Sequence, residues 1–426
     1  MKKLWLKLSD VLFFQEGPGV RKNQYTTHGV KLLNVANLVD GNIDLSTSSR
    51  YISKEEAFGK YKHFLCDVGD FIVASSGIKV EYLDRKMGFV DETMLPLCMN
   101  TSTIRFKVLD ESQLNIRYFM YYVKSKHFKQ QVEFYITGSA QLNYGPSHLR
   151  KMFVPIIDIS EQLNIIEKLD KLQSIMDKYR EKLRKYDELI KARFVEMFGD
   201  PITNSRNLPV LALSELGEFG RGVSKHRPRN APELLGGKYP LIQTGEIANS
   251  GLYIEKYENT YSELGYKQSK MWQAGTLCIT IAANIAKTSI LTFDACFPDS
   301  VIGFCANDKT NNIFMHYWFS FFQEILENQA PASAQKNINL HILNRLKVIV
   351  PPIELQNQFA DFVKQIDKSK FVEEKNLIIM CKIKRSFYYD QFWFPKKRKT
   401  IWEFCRCCYI CRENFIYRYR CICAEL

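Results

Sequence analysis

The chain has 426 residues, with 59 Lys and Arg against 46 Asp and Glu, and 46% of its residues are hydrophobic. At roughly 100–200 residues per domain this length predicts two or three domains, and 25% charged with 13% aromatic residues excludes a disordered or fibrous chain. No apolar run approaches the ~18 residues of a membrane span. Lys7 and Asp10 interrupt the apolar N-terminus, which argues against a signal peptide. We therefore expect a cytoplasmic protein with no membrane partner.

The predicted elements of the first half are short strands followed by a helix. Residues 71–74 form an apolar run rich in β-branched side chains, which predicts a strand. Residues 118–123 are rich in aromatic side chains, and their pattern fits a buried helix or a strand equally well. A polar segment, Ser139-Ala-Gln-Leu-Asn143, then precedes a strand-like run that ends at Pro155.

A long central helix follows over residues 161–198, which contain neither Gly nor Pro. Ser160 is its predicted N-cap, and Gly199 and Pro201 end it. At 1.5 Å per residue the helix extends about 57 Å. It needs a partner helix along its length because its apolar stripe would otherwise face water, although an ordinary helix packed on a globular core is the alternative. The predicted heptad seam consists of Ile165, Leu169, Leu172, Met176, Tyr179, Leu183, Tyr186 and Ile190.

The second half repeats the first at offsets of 194–206 residues. Ser139-Ala-Gln-Leu-Asn143 recurs as Ser333-Ala-Gln-Lys-Asn337, and a strand-like run again ends in proline, at Pro351. Residues 278–281 and 345–350 are predicted strands, residues 314–322 are aromatic-rich and ambiguous, and a second long helix begins near residue 356. Several matches in the same order indicate a duplicated unit of about two hundred residues, with insertions in the loops.

Motifs of catalysis are missing from the sequence. It contains no phosphate-binding G-x-x-x-x-G-K-[ST] loop and no H-E-x-x-H pair, and its seven histidines are isolated. Gly217, Gly220 and Gly222 do not have dinucleotide-binding spacing. Pro298-Asp299 resembles half of a nuclease metal site without the other half, so we interpret Asp299 as a turn residue. The sequence therefore predicts no catalytic residues and no metal site.

Basic and polar side chains recur in the loops of both halves. Lys and Arg neutralise phosphates, whereas Ser, Asn and Gln donate to phosphates or read base edges. A solvated surface charge is the alternative for any single cation, and the Gln and Asn pairs could instead support their loops. Further basic residues in the loops of the first half are His28, Arg50, Lys60 and Lys62. The predicted DNA-binding residues are Arg21, Lys22, Ser75, Ser76, Lys79, Gln141, Asn143, Arg221, Lys225, Arg227, Asn284, Lys287, Gln335 and Asn337.

A duplicated unit with S-A-Q-x-N, a strand ending in V-P, a Gln opening a long heptad helix and a closing M-F-G-D-P resembles the DNA-specificity subunit of type I restriction–modification systems. The resemblance covers residues 5 to about 376. It implies an α+β fold with two similar target-recognition domains in tandem, each reading one half of a split double-stranded DNA site. It also implies two long coiled-coil helices, packed antiparallel, that space the domains.

The resemblance further implies a subunit that is not itself an enzyme. DNA methyltransferase subunits and restriction subunits, which are ATP-dependent translocases and nucleases, would dock on it. AdoMet, ATP and Mg²⁺ would belong to those partners, with no cofactor on this chain. The expected division is a first recognition domain (1–159), a spacer helix (160–199), a second recognition domain (200–355), the start of a second spacer helix (356–376) and an aberrant tail (377–426).

Two other functions stay open from the sequence. One is a stand-alone DNA methyltransferase or nuclease carrying a recognition repeat, which would need an AdoMet or metal motif that the sequence lacks. The other is a coiled-coil scaffold that binds no DNA. This alternative stays open because residues 1–376 carry a net charge of only +6.

The tail differs in composition from the rest of the chain. Residues 377–426 hold seven of the twelve cysteines and a surplus of seven positive charges. A zinc module and a basic nucleic-acid arm at Lys396-Lys-Arg-Lys399 are two interpretations. Among the six cysteines at 405, 407, 408, 411, 421 and 423, the C-x-x-C spacings 405/408 and 408/411 share Cys408, so they do not form the two separate pairs of a zinc site. We favour a reading-frame shift after Asn376. This predicts a disrupted second helix, a first helix without an apolar partner from Leu172 to Ile190, and a chain truncated at Asn376 that assembles normally.

Overall fold

The computed structural model of the chain describes residues 3–136, 143–226, 228–282, 285–329 and 340–392. The chain divides into two compact units. Within the described residues, unit one takes in residues 3–176 and 378–392, and unit two takes in residues 177–377. No helix within the described ranges combines the length and the apolar character needed to cross a membrane.

Strands and helices alternate along the described residues. The strands are β1 (Leu4–Lys7), β2 (Leu12–Glu16), β3 (Val30–Leu33), β4 (Leu38–Val39), β5 (Asn42–Ile43), β6 (Tyr51–Ile52), β7 (Phe71–Ala74), β8 (Met87–Phe89), β9 (Leu97–Met99), β10 (Thr103–Val108), β11 (Phe153–Ile156), β12 (Val210–Ala212), β13 (Gly217–Arg221), β14 (Leu235–Leu241), β15 (Tyr253–Ile254), β16 (Asn259–Tyr261), β17 (Met271–Trp272), β18 (Leu277–Thr280), β19 (Thr288–Leu291), β20 (Ala295–Cys296), β21 (Val301–Ala306) and β22 (Lys347–Ile349). The helices are α1 (Leu8–Val11), α2 (Lys54–Phe58), α3 (Ile116–Val123), α4 (Lys126–Tyr135), α5 (Pro146–Leu149), α6 (Ile159–Phe198), α7 (Thr244–Asn249), α8 (Glu263–Lys267), α9 (Asn312–Gln329), α10 (Leu340–Asn344) and α11 (Ile353–Phe392).

Unit one is built on an antiparallel sheet in the order β2-β10-β7-β8 and a mixed sheet in the order β6-β3-β9. Both faces of β7 are buried: Phe71 and Val73 join the core beneath α3, whereas Ile72 and Ala74 join a second core with Leu33. The first strand of the unit, β1, pairs antiparallel with its last strand, β11.

Unit two repeats this topology. Its sheet β13-β21-β18-β19 has the order of β2-β10-β7-β8, with β15 added at one edge, and β16-β14-β20 has the order of β6-β3-β9. As in unit one, the central strand of the second sheet is antiparallel to one neighbour and parallel to the other. The first strand, β12, again pairs with the last, β22. The predicted α+β fold of two similar domains in tandem is confirmed.

The two aromatic-rich segments that the sequence left ambiguous are helices. In α3 every residue from Tyr118 to Val123 is buried, and Phe119 packs 5.2 Å from Phe106 of the four-stranded sheet, measured between ring centroids. In α9, Phe314 and Trp318 are fully buried in the core of unit two. Burial on all sides removes the apolar periodicity that would otherwise distinguish a helix from a strand.

Helix α6 begins two residues before the predicted start and ends where predicted, at Phe198. Asp158, rather than Ser160, caps it: the carboxylate of Asp158 accepts from the N–H of Ser160 at 2.8 Å and from its hydroxyl at 2.5 Å. These hydrogen bonds lower the pKa of Asp158. At the other end Gly199 takes a positive φ of 75°, a conformation that favours glycine.

Segments of both long helices contribute to the core of each unit. In unit one, Leu169 of α6 and Phe392 of α11 belong to the same cluster. In unit two, Phe194 of α6 lies 5.4 Å from Phe359 of α11 between ring centroids. The core of unit one thus contains the start of α6 and the end of α11, and the core of unit two contains the end of α6 and the start of α11. This is expected for helices that pair in opposite directions.

The prediction that the second helix is disrupted after Asn376 was wrong for residues 377–392, because α11 continues to Phe392. Its less exposed positions recur in steps of three and four residues through Glu373, Leu377, Met380, Lys384 and Phe387. The heptad pattern did not predict this continuation, because Glu373 and Lys384 place charged side chains at positions where apolar residues were expected. The cysteines from 405 to 423 and the basic run 396–399 lie outside the described residues.

Candidate nucleic-acid interface

A polar cleft of about 630 Å³ lies in unit one, at one edge of its sheets. It forms where the parallel strands β3 and β9 end, where β6 and β10 begin, and where the chain leaves β7. Loops at strand ends are free of ladder hydrogen bonds, so their side chains can face a ligand while the sheets hold them in place. The lining residues are Tyr25, Asn34, Val35, Ala36, Ser46, Thr47, Ser48, Ser49, Arg50, Ser76, Gly77, Asn100, Thr101 and Ser102.

Two buried asparagines support the cleft. Asn34 is 7% exposed and Asn100 is 2% exposed. The amide of Asn100 donates to Oδ1 of Asn34 at 2.9 Å, and Oδ1 of Asn100 accepts from the N–H of Thr101 at 2.8 Å. Asn34 in turn donates to the carbonyl oxygen of Leu32 at 2.9 Å. These bonds fix the loop after β3 against the loop before β10, so the cleft is preformed.

A pair of serines joins two of the loops. The Ser76 hydroxyl donates to the hydroxyl of Ser102 at 2.6 Å, and Ser102 has a φ of 72°, in the left-handed region that non-glycine residues rarely adopt. The backbone N–H of Ser75 also donates to the carbonyl of Ser102, at 2.8 Å. Backbone strain held by such contacts is common in binding loops.

The loop before β6 forms another wall and begins at a capped turn. The carboxylate of Asp44 accepts from the hydroxyl of Ser46 at 2.6 Å and from its N–H at 2.9 Å. Both bonds lower the pKa of Asp44. The hydroxyl of Thr47 donates to the carbonyl of Ala36 at 2.9 Å, which ties this wall to the loop after β3.

Arg50 brings a positive charge to the rim of the cleft. Its guanidinium lies over the ring of Tyr25, 5.4 Å from the centroid. A β-bridge joins Thr26 to Tyr51, the residues that directly follow Tyr25 and Arg50, and so brings Tyr25 and Arg50 close together. Among the described residues, no Asp or Glu lines the cleft. A lining of hydroxyls, amides and one guanidinium, without carboxylates, suits a ligand that offers hydrogen-bond acceptors and negative charge, as nucleic acid does.

The structure places only part of the predicted DNA-binding set at this cleft. Ser76 lines it, whereas Ser75 is buried beside it and donates to Oε1 of Glu16 at 3.4 Å. Asn143 is exposed and forms a β-bridge with Ser76. Lys79, whose side chain is 68% exposed, lies outside the lining and 3.6 Å from Glu81. Arg21 and Lys22 are exposed and also lie outside the lining, and Gln141 lies outside the described residues.

In unit two the predicted residues stand on loops of the repeated sheet. Arg221, at the end of β13, and Lys225 are exposed. Lys287 is half-buried, and its backbone N–H donates to the hydroxyl of Thr280 at 3.1 Å. Asp299, interpreted as a turn residue, pairs with Arg229 at 2.5 Å. Arg227, Asn284, Gln335 and Asn337 lie outside the described residues. Within the described ranges, no group of three His, Cys, Asp or Glu side chains could hold a metal ion.

Sequence reasoning missed most of the cleft lining. Arg50 is among the basic loop residues of the first half but not in the predicted DNA-binding set, and Tyr25, Asn34 and Asn100 are in neither group. The signal that could have found the walls is two hydroxyl-rich runs, Ser46-Thr-Ser-Ser49 and Asn100-Thr-Ser-Thr103, each next to a strand. Two such runs come together only because β6 and β9 both pair with β3.

The eight predicted residues of the heptad seam are all buried or half-buried on α6. In unit two their neighbours on the facing helix are partly polar. Lys182 donates to Glu373 at 2.9 Å, and Lys370 donates to Asp187 at 2.7 Å. In unit one Lys384 donates to Gln173. The second helix thus meets the first with charged and amide groups as well as apolar ones.

The sequence profile of the type I restriction modification DNA specificity domain matches residues 5–185 and 210–379. The chain belongs to this family. The first match ends on α6 and the second on α11, so each match takes in one recognition domain and part of the long helix that follows it.

Curated relatives carry the same family description. The chain is 20% identical, over 375 residues, to the putative type I restriction enzyme MjaX specificity subunit of Methanocaldococcus jannaschii, spanning 85% of this chain and 86% of that one. It is 24% identical over 187 residues to the MjaVIII specificity subunit of the same organism, spanning 42% of each chain.

Solved structures share the fold. The S subunit of a type I restriction–modification system from M. genitalium matches with a TM-score of 0.52 at 15% identity, over 93% of this chain and 97% of that one. A chain from a structural study of complex assembly and conformational transition in the type I R-M system matches with a TM-score of 0.51 at 15% identity, over 92% and 97%. These likenesses support the duplicated architecture described above.

Proposed function

We propose that this chain is the DNA-specificity subunit of a type I restriction–modification complex and that each unit reads one half of a split DNA target. The observation that carries the proposal is the duplication: one recognition fold occurs twice, and the family profile matches each copy separately. A protein with two similar readers suits a bipartite site. Because the loop residues of the two units differ, the two half-sites should differ in sequence.

The unit-one cleft supports a role in reading DNA. Its walls offer the hydroxyls of Ser48 and Ser49 and the guanidinium of Arg50, groups that bind phosphates or the edges of bases. A coiled-coil scaffold that binds no DNA would not require a preformed polar cleft free of carboxylates. Helix α6, about 60 Å long at 1.5 Å per residue, has the length of a spacer between two recognition domains.

Docking and catalysis complete the proposal. The methyltransferase subunits and the restriction subunits would assemble on the long helices, whose outer faces carry exposed apolar side chains such as Ile175 and Ile379. AdoMet, ATP and Mg²⁺ would be bound by those subunits, and this chain would supply the target sequence rather than a reacting group. A methylation assay on the purified chain without partners should give no product.

A domain exchange tests the bipartite reading. The full chain is used to select DNA from a random library, and the same selection is made after residues 210–345 are replaced by the corresponding segment of another family member. We expect a split motif in which only one half changes. A change in both halves, or in neither, would contradict the assignment of one half-site to each unit.

A gel-shift series at two salt concentrations tests DNA binding itself. Each phosphate contact neutralised by Lys or Arg steepens the dependence of affinity on salt. If the chain binds DNA through phosphate contacts, its affinity should fall steeply as the salt concentration rises. If it is a scaffold that binds no DNA, no gel shift should occur at either concentration.

A further inference from the structure

We propose that Arg50 reads the O6 and N7 edge of a guanine in the half-site recognised by unit one. The inference rests on the proposed function, because it names the base that the unit-one cleft selects. It concerns one side chain at the rim of the cleft and its support, Tyr25, with the buried asparagines beneath.

The N–H groups of the Arg50 guanidinium are available to bind a ligand. The residue is exposed, and in the described part of the chain its side chain makes neither an ion pair nor a hydrogen bond. Arg105 of the same unit is the contrast. Its guanidinium donates to Gln15 and to the carbonyls of Leu65 and His63, each at 2.7 Å, and it pairs with the buried carboxylate of Asp70. Arg105 holds the fold together, whereas the guanidinium of Arg50, a lining residue of the cleft, has no hydrogen-bond or ion-pair partner among the described residues.

Tyr25 limits the orientations that this guanidinium can take. Its ring packs against a buried cluster that includes Val30 and Ile52, and its hydroxyl lies 3.5 Å from the amide of Asn100. The backbone carbonyl of Arg50 accepts from the N–H of Leu32 at 2.9 Å, so the residue is held at its backbone as well. A guanidinium held over a ring by a cation–π contact still has its N–H groups available for hydrogen bonds.

The composition of the cleft favours a base edge over a phosphate. Among the described lining residues, Arg50 is the only cation, whereas sites for backbone phosphates commonly combine several cations or backbone N–H groups. The planar fork of arginine matches two neighbouring acceptors, and in the major groove guanine presents such a pair in O6 and N7. The hydroxyls of Ser48 and Ser49, which also line the cleft, are then placed to contact the backbone or the bases beside that guanine.

The test begins with the target that the full-length wild-type chain selects from a random DNA library, with unit one's half identified by the exchange of residues 210–345. Binding is then measured for R50A, R50K and R85A. Arg85 is a matched control because it is exposed, lies over Tyr82 at 5.7 Å and is absent from the cleft lining. A second measurement replaces the guanine by 7-deazaguanine, which lacks the N7 acceptor and leaves the protein unchanged.

We expect R50A to lose its preference for one G·C pair in the unit-one half-site, with affinity for the selected target lowered about 5- to 150-fold. R50K should keep the salt dependence but lose most of the preference, because lysine has the charge without the fork. R85A should bind like the wild type. The 7-deazaguanine target should weaken binding by the wild type and cause no further loss in R50A.

Two results would overturn the assignment while leaving the proposed function intact. One is a unit-one half-site without a G·C pair. The other is an R50A variant that loses affinity equally for all sequences, with a salt slope lower by about one, as for a phosphate contact. If the wild-type chain selects no split target at all, the proposed function fails and the guanine assignment fails with it.

Discussion

Gln162 and Gln356 occupy the same position in the two halves of the chain. Both are fully buried, and each lies in the first turn of a long helix, α6 or α11. The amide of Gln162 donates to the carbonyl of Ile157, and that of Gln356 donates to the carbonyl of Pro351, both at 2.9 Å. Gln358, two positions further along α11, is exposed.

Each of these glutamines also fastens its helix to the loop before an aromatic helix. The amide of Gln162 donates to the carbonyl of Gln113 at 2.7 Å, and its oxygen accepts from the N–H of Asn115 at 2.9 Å. Gln356 bonds in the same way to the carbonyl of Lys309, at 3.0 Å, and to the N–H of Asn311, at 3.2 Å. One side chain thus satisfies three backbone groups in each unit, which explains a glutamine at this place in both copies.

Replacing Gln356 with alanine should destabilise unit two by about 1–3 kcal/mol, because buried backbone groups lose their partner. The measurement is urea unfolding of the full chain followed by the fluorescence of its tryptophans. Q358A is the matched control, since Gln358 lies exposed on the same helix. Equal stability of Q356A and Q358A would show that the hydrogen bonds of Gln356 do not contribute.

Phe392 should be needed for the stability of unit one. It is 2% exposed, and its ring lies 5.5 Å from that of Tyr118 and 5.8 Å from that of Tyr122. F392A should cost about 3–5 kcal/mol, the usual cost of removing a buried phenylalanine ring. I379A, at a position 48% exposed on the same helix, should cost little. Thermal unfolding of the two variants compares them directly.

Truncation at Asn376 tests the same region against the frame-shift interpretation, which predicts normal assembly. The structure leads to the opposite expectation: loss of residues 378–392 removes Phe387, Tyr388 and Phe392 from the core cluster of unit one. The truncated chain should be less stable and more susceptible to proteolysis within unit one. A truncated chain as stable as the full one would restore the interpretation that these residues are dispensable.

His316 should make the stability of unit two depend on pH. Burial, together with the nearby Lys370, lowers the pKa of His316 to about 4, compared with about 6.5 in the unfolded chain. The unfolded chain therefore binds more protons between these values, so the histidine's contribution is complete above pH 6.5 and is lost as the pH falls towards 4. Through this histidine, the free energy of unfolding should change by at most about 1.4 kcal/mol per pH unit.

Unfolding of the H316Q variant at several pH values between 4 and 7 checks this expectation. The variant should lose part of the slope that the wild type shows, whereas H341Q, at an exposed histidine in the same unit, should keep it. Identical slopes in H316Q and the wild type would mean that His316 is not the titrating group.

Lys79 and Lys287 provide a test of phosphate contacts in the two half-sites. Each alanine variant should weaken binding by its own unit, and the salt slope should fall by about one if the ammonium group meets a phosphate. The K79A measurement needs E81A as a control, because Lys79 lies 3.6 Å from Glu81. Unchanged affinity and slope would identify these lysines as solvated surface charges.

Local patterns in the sequence determined much of the architecture. The three- and four-residue steps from Ile165 to Ile190 predicted α6 to within two residues at its start, because an uninterrupted heptad leaves few alternatives to a long helix. The recurrence of the polar S-A-Q-x-N segment predicted two similar domains, since a repeated sequence folds into a repeated unit. Glycine and proline, at Gly199 and Pro201, predicted the end of the helix for local steric reasons.

Tertiary structure alone decided the features that depend on contacts distant in sequence. The cleft combines residues from 25 to 102 because strand pairing around β3 brings the loops beside β3, β6 and β9 to one edge, where the chain also leaves β7, and no local pattern encodes that arrangement. The helical state of residues 118–123 was decided by burial on all sides, which erases periodicity. The continuation of α11 to Phe392 was decided by packing against Tyr118 and Tyr122, because favourable contacts outweigh a broken apolar repeat when the helix has a surface to cover.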